Sequence, residues 1–343
     1  MTERKLLAEV AALPEDAKFC AVALVSSIKE RRDRNDKPYW VLSLMDKSGV
    51  LEAKVWGNSQ WWDSRSEPRQ AITAPQDHPA VKTLKGQPVG VTGSVSSYKG
   101  KNQYSLNQVF LLDASKDDYN PANFVQSSEQ DLTVLAERFK ALIDGCGGEA
   151  GEFLRFVFNR DDTWSKFTVL PAAVAHHHAY VHGLIEHTVG VASLAHHMAL
   201  SYQSHGTPPD IDLVTAGACL HDLGKLDTYL LSPGPAMTLD GTVIDHVARG
   251  YAKFCRLAEE FGLSSLLTTH LGHILLSHHG QKEFGSPVLP ATKEALIVAA
   301  ADNLDFLLAC WDNATDLLEG GEDPDKAISD WDYSASRRFW KWK

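Results

Sequence analysis

The 343-residue sequence predicts an α+β chain of two domains, a small five-stranded β-barrel followed by an all-α bundle. Three observations predict it. Five strand-like runs fall between residues 18 and 112, apolar residues recur at spacings of three and four beyond about residue 129, and histidines crowd between His176 and His279. Hydrophobic residues make up 44% of the chain, enough for a core in each part. The net charge of −11 is unevenly spread: residues 1 to 120 hold 17 Lys+Arg against 15 Asp+Glu, a balance of +2, and the remainder holds 16 against 29, or −13. The first part can therefore meet a polyanion locally, and the second holds the carboxylates that metals attract.

Met1 to Glu15 is charged and helix-like, giving an expected N-terminal helical segment over 1–17. It lacks a long apolar run with a cleavage signal, and no stretch elsewhere approaches 18 apolar residues. Five widely spaced cysteines without a C-x-x-C pair fit a reducing compartment and argue against a disulfide framework or a zinc ribbon. A soluble cytoplasmic protein with no membrane partner is expected.

The strand-like runs of the β domain (18–112) begin at Phe19, Tyr39, Val50, Val89 and Tyr104. In the third, Leu51, Ala53 and Val55 alternate with Glu52, Lys54 and Trp56, so one face enters a core and the other presents a cation beside an aromatic. Single-stranded nucleic acid uses such a face, stacking bases on rings and placing phosphates on cations. Lys29 to Lys37 reads as a charged loop with five cations and three anions, and Lys99-Gly-Lys101 as a basic turn. The candidate nucleic-acid contacts are Lys29, Arg31, Arg32, Tyr39, Lys54, Trp56, Lys99 and Lys101. A solvated hairpin with a half-buried Trp is the competing reading.

The string from Lys37-Pro-Tyr-Trp to Ala-Lys-Val-Trp56 resembles the OB-fold of the anticodon-binding and single-strand-binding type. The chain departs from a minimal OB barrel in an insertion over 57–86, rich in Pro, Gln and Ser, expected to form a helix or long loop. Residues 113–128, with Asn120-Pro121, read as a linker. Ser128 to Asp131 then forms a capping box for a helix with Leu132, Leu135, Phe139 and Leu142 on one face, opening an α bundle over 129–343.

Within the bundle, an apolar helix carrying Leu213, Val214, Gly217 and Leu220 leads into His221-Asp222-Leu-Gly224, where Gly224 is expected to end it. An adjacent imidazole and carboxylate supply one nitrogen and up to two oxygens to a divalent metal, and the carboxylate can bridge two ions. His187 shares a face with Val191 and Leu194, so its ring points inward, as a core histidine or a ligand. His246 starts another helix after Asp245, His278-His279 stand before Gly280, and Asp302 lies among Ala295, Val298 and Ala299. A carboxylate buried there needs a cation partner, and a metal would supply one. His196, His197, His205, His270 and His273 are assigned to surface or packing.

The ordered set His187, His221-Asp222, His246, His278-His279, Asp302 resembles the HD-domain phosphohydrolase superfamily. The strings Pro171-Ala-Ala through His177-His-Ala-Tyr180, Gly183-Leu-Ile-Glu-His187, His221-Asp-Leu-Gly-Lys225, His278-His-Gly280 and Ala301-Asp-Asn-Leu-Asp305 are similar to the bacterial YhaM-type 3′→5′ exoribonuclease family. That family joins an N-terminal OB-fold to a C-terminal HD domain. His182 is a departure, standing where the family tends to have a second glycine before the helix, and His176 is another.

The resemblance implies two divalent ions, the first held by His187, His221, Asp222 and Asp302. Asp222 would bridge to a second ion held by His246 and one or both of His278 and His279. It gives Asp222 and Lys225 catalytic roles, Lys225 steadying a phosphate oxygen, for which a helix-terminal cation is the alternative. His177, His178 and Tyr180 would line the substrate entrance. The O- and N-rich ligand set without cysteine favours Mn²⁺, Fe²⁺, Co²⁺ or Mg²⁺, and the family favours Mn²⁺.

The expected function is a metal-dependent 3′→5′ exoribonuclease that releases nucleoside monophosphates from single-stranded RNA, with single-stranded DNA a further substrate and a homo-oligomer left open. The alternatives are an HD phosphohydrolase of free nucleotides and a non-catalytic single-strand-binding module.

Overall fold

A computed structural model describes residues 3–98, 101–119, 121–174, 178–231 and 234–343. The chain divides into two compact units, residues 1–127 with 232–234 and residues 128–231 with 235–343.

The first unit contains helix α1 (Leu7–Ala11), strands β1 (Lys18–Arg32), β2 (Pro38–Asp46), β3 (Gly49–Asp63) and β4 (Gln70–Ile72), helix α2 (Pro79–Lys82), and strands β5 (Pro88–Tyr98) and β6 (Lys101–Leu111). Five strands pair in a ring, β1 to β2 to β3 to β6 to β5 and back to β1, antiparallel throughout except for the parallel β3–β6 pair. This is an OB-like sheet. Alternation drives it: Leu51, Ala53 and Val55 of β3 are buried with Leu42 and Leu44 of β2, Phe19, Ala21 and Ala23 of β1, and Val89 and Val91 of β5. At the β5–β6 register shift only glycine fits, because a Cβ on Gly93 would lie 2.6 Å from the Ser105 carbonyl oxygen and 2.7 Å from the Phe19 ring.

The expected N-terminal helical segment is confined to the five residues of α1, followed by Pro14 and by Asp16 in the left-handed region at φ 66°. Its Leu7 and Val10 are buried in the β core, and the Leu7 amide donates to Asp46 at 2.8 Å. The 57–86 segment is not simply a helix or loop. β3 continues through Asp63, pairing with both β4 and β6, because Trp61 extends the inward alternation and is buried against Trp40.

The second unit is helical: α3 (Leu132–Gly145), α4 (Gly148–Phe158), α5 (Asp161–Phe167), α6 (Gly183–Ser201), α7 (Ile211–Leu220) and α8 (Lys225–Thr228), then a hairpin of β7 (Tyr229–Leu231) and β8 (Pro235–Met237). Helices α9 (Leu239–Val243), α10 (His246–Phe261), α11 (Ser265–Ser277), α12 (Lys293–Thr315) and α13 (Pro324–Ala327) follow. Every residue of α7 from Leu213 to Leu220 is buried, as befits a helix apolar all round, and α4, α6, α11 and α12 surround it. The N-cap of α3 is Asp131, which accepts from the Thr133 amide at 2.7 Å, in place of the expected Ser128 box. The β7–β8 hairpin, with strands of three residues, went unread because no alternation is visible over so short a run.

Candidate metal centre and nucleic-acid interface

Three helix ends and two helix faces build the site. α6 carries His187, the turn after α7 carries His221 and Asp222, α10 begins at His246, α11 ends before His278 and His279, and α12 carries Asp302. Gly224 does not end α7, which stops at Leu220. A Cβ on Gly224 would lie 1.9 Å from the His246 carbonyl oxygen and 2.6 Å from the Gly250 amide. The glycine thus lets the His221-Asp222 turn lie against the start of α10, bringing His246 beside Asp222.

All seven residues expected to ligate metal converge. Oδ2 of Asp222 is 3.3 Å from Nε2 of both His187 and His221. Its Oδ1 is 3.5 Å from His246 Nε2 and 3.9 Å from His278 Nε2. Asp302 Oδ1 joins the first group, 3.3 Å from His187 Nε2 and 3.8 Å from His221 Nε2. His279 joins the second, its ring 4.2 Å from His278 and 5.1 Å from His246. Ligands in adjacent positions on one octahedral ion lie about 3 Å apart, so these spacings suit two ions sharing Asp222.

The outward ring nitrogens explain the orientation. His221 Nδ1 faces the Ala218 carbonyl at 2.7 Å, His278 Nδ1 that of Leu275 at 2.8 Å, and His279 Nδ1 that of Phe284 at 2.7 Å. His187 Nδ1 faces Asp305 at 2.7 Å, and His246 Nδ1 faces Asp245 at 2.7 Å. In each case Nδ1 is held by an acceptor and Nε2 is turned inward, the orientation of metal-ligating histidines. Asp222 Oδ1, His246 Nε2 and His278 Nε2 are buried with no hydrogen-bond partner among the described residues. Each such atom costs about 1–3 kcal/mol when left unsatisfied, and a shared cation offsets all three.

The electrostatics agree. Burial works against the charge on Asp222, but Lys225, His221 and His187 outweigh it and hold its carboxyl well below the usual range. Burial likewise opposes ionisation of Asp302, and the surrounding imidazoles overcome it, keeping that carboxylate ionised. His278 is pushed well below the ordinary imidazole range by burial and then by His279 and His221.

Lys225 starts α8, is buried, and its Nζ lies 2.6 Å from Asp222 Oδ2, so the reading as an exposed helix-terminal cation is replaced by a buried ion pair. The expected entrance residues are placed differently. His178 Nε2 contacts Asp305 at 3.1 Å and its Nδ1 meets the Tyr180 hydroxyl at 2.9 Å, which donates to Glu186 at 3.0 Å. These groups stand behind His187, on its Nδ1 side, because Asp305 draws them there; His177 lies outside the described residues. Asp305 was missed as a functional group, although its place one turn after Asp302 on α12 was the available signal. His182, at the family's glycine position, is left-handed at φ 68°, and its ring bonds the Thr168 carbonyl.

In the first unit, register places Arg31 opposite Tyr39, and Lys29 opposite Val41, which faces Lys54. One outer face therefore carries Lys29, Arg31, Tyr39, Lys54 and Trp56. Tyr39 and Trp56 stack at 5.0 Å, and Lys54 Nζ sits 5.5 Å from the Trp56 ring while donating to Gln103. Two calls change. Lys29 to Arg32 is strand, leaving only the residues after it as the turn. Arg32 falls on the opposite parity, opposite Pro38, and pairs with Asp36 at 3.1 Å. Lys99 and the side chain of Lys101 lie outside the described residues. No helix among the described residues is long and apolar enough to cross a membrane.

Comparison with known proteins gives the kinship. The HD domain family matches residues 184–307. The curated 3′-5′ exoribonuclease YhaM of Bacillus subtilis is 30% identical over 300 residues, covering 87% of this chain and 88% of that one. Its counterpart in Geobacillus sp. (strain WCH70) is 29% identical, covering 87% and 85%. That of Listeria monocytogenes serotype 4b is 30% identical over 302 residues, covering 87% and 88%. A solved structure, the second OB-fold domain of replication protein A from Methanococcus maripaludis, covers 34% of this chain and all of its own, at 15% identity and a TM-score of 0.22. At 30% identity over nearly the whole length of both chains, the protein belongs to the YhaM 3′-5′ exoribonuclease family of hydrolases.

Proposed function

We propose that the protein is a metal-dependent 3′→5′ exoribonuclease that removes nucleoside monophosphates from single-stranded RNA, with the helical unit holding two divalent ions. The observation that carries this is Asp222, whose two oxygens face two separate histidine groups, each with its Nε2 atoms turned inward. Bound there, two divalent ions supply Lewis-acid activation of a water and charge neutralisation on the phosphodiester. His187, His221, Asp222 and Asp302 would hold one ion, and Asp222, His246, His278 and His279 the other. The donor set contains no thiolate, which suits Mn²⁺, Fe²⁺, Co²⁺ or Mg²⁺, with Mn²⁺ the choice favoured by family resemblance.

The chain's own groups do the positioning. Asp305 and Asp245 fix the tautomers and ring planes of His187 and His246. Lys225 restrains Asp222 Oδ2, and its ammonium, held protonated by that carboxylate against the cost of burial, would supply this centre with a cation for a phosphate oxygen. On the first unit, the Tyr39–Trp56 stack with Lys29, Arg31 and Lys54 suits unpaired bases and their phosphates. That chemistry reads ring faces and charge, so single-stranded DNA is a secondary substrate. The five cysteines form no disulfide, which fits a cytoplasmic setting.

Removal of metal with a chelator and its replacement test the proposal. Uniformly labelled single-stranded RNA should stay intact with the stripped protein and yield nucleoside monophosphates once Mn²⁺ is restored. Undiminished digestion by protein shown to be metal-free would contradict it.

A further inference from the structure

The 57–86 segment, which a minimal OB sheet lacks, builds a feature beside the Tyr39–Trp56 stack. The extended end of β3 and the chain around β4 enclose a cavity of about 630 Å³ against the start of β2. Its floor is apolar and aromatic: Trp40, Trp61 and Ile72 are 4%, 2% and 7% exposed, and the two indoles meet edge to face at 5.5 Å. Tyr39 and Trp56 line it too, so it is continuous with the stacked pair. Its rim is polar, with the exposed carboxamides of Asn58 and Gln76 and the hydroxyl of Thr73.

We propose that this cavity is a subsite for one unpaired adenine base of the RNA strand, giving the enzyme a base preference at a fixed point along its substrate. The inference rests on the reading of this unit as the RNA-binding face. A planar base is an occupant of matching chemistry for an aromatic slot of this size that opens from a stacking platform. Two carboxamides at the rim favour adenine, whose N6 and N7 pair with the donor and acceptor of Asn or Gln. Lys37 at the same cavity supplies a cation for the adjoining phosphate and offsets the Asp33 carboxylate, which also lines it.

The test is fluorescence anisotropy of labelled oligo(A), oligo(U) and oligo(C) strands of about twelve nucleotides. It uses the full-length protein in EDTA so that strands stay whole. The wild-type protein is expected to bind oligo(A) at least about fivefold more tightly than the pyrimidine strands. The double substitution Asn58→Ala with Gln76→Ala, at exposed positions and with an unchanged melting temperature, should bring the three to within about twofold. Equal binding by the wild type, a pyrimidine preference, or an oligo(A) preference that survives the double substitution would overturn the subsite. Failure to bind any strand would instead remove the RNA-binding face, and the subsite with it.

Discussion

Asp222 is the residue on which the centre turns, because its two oxygens are the link between the histidine groups. Replacing it by alanine should abolish bound metal while leaving the apolar packing of α7 intact, and metal analysis of the purified variant checks this. Asp305 meets His187 at Nδ1, on the back of the ring, and His178 at Nε2. Asp305→Asn keeps the shape but weakens the hold on the ring, and metal affinity should fall about 10- to 100-fold, measured by competitive chelation. Protonation adds a third expectation. Burial opposes a charge on His187, yet Asp222, Asp302 and Asp305 hold its proton well above the ordinary imidazole range, whereas His278 and His279 are held below it. A metal must therefore displace a proton from His187 but none from His278 or His279, so binding should release about one proton near pH 7 and tighten as pH rises. Calorimetry in buffers of differing ionisation enthalpy reads that number, and no buffer dependence would contradict it. The convergence of the seven candidate ligands was legible in part, because the His221-Asp222 and His278-His279 pairs stand at helix ends and His187 and Asp302 on inward helix faces. Asp305 carried only its place one turn after Asp302, which marks a carboxylate near the centre without separating a ligand from the group that steadies one.

Among the elements, the turn between α7 and α8 shows where local rules mislead. Gly224 looks like a helix stop, but its bare Cα is needed so that the start of α10 can approach. Gly224→Ala should destabilise the fold by about 1–3 kcal/mol and weaken metal binding at the His246 group first. Thermal melts together with metal stoichiometry check both parts. β3 was read short for a related reason: a run of polar residues after Trp56 hides the continuing alternation that Trp61 completes once β4 and β6 lie alongside. The capping of α3 shifted by three residues because Ser128 and Asp131 are both good caps and only tertiary packing chooses between them.

For the whole molecule, the two units were legible because their hydrophobic periods differ, two in the first and near 3.6 in the second. The ring order of the sheet and the meeting of α6, α7, α10, α11 and α12 at one centre were not, since both depend on contacts distant in sequence. The first unit's role is separable by substitution. Trp56→Ala should lower affinity for single-stranded RNA about tenfold or more while the helical unit retains its metal, as measured by anisotropy and metal analysis. Removal of nucleotides from the 3′ end should depend on the centre around Asp222. The most direct measurement is digestion of a 5′-labelled single-stranded RNA with added Mn²⁺, beside an EDTA control and the Asp222→Ala protein. A ladder of progressively shorter labelled products, absent from both controls, is the predicted result. Intact RNA with the wild-type protein, or an unchanged ladder with Asp222→Ala, would contradict the account.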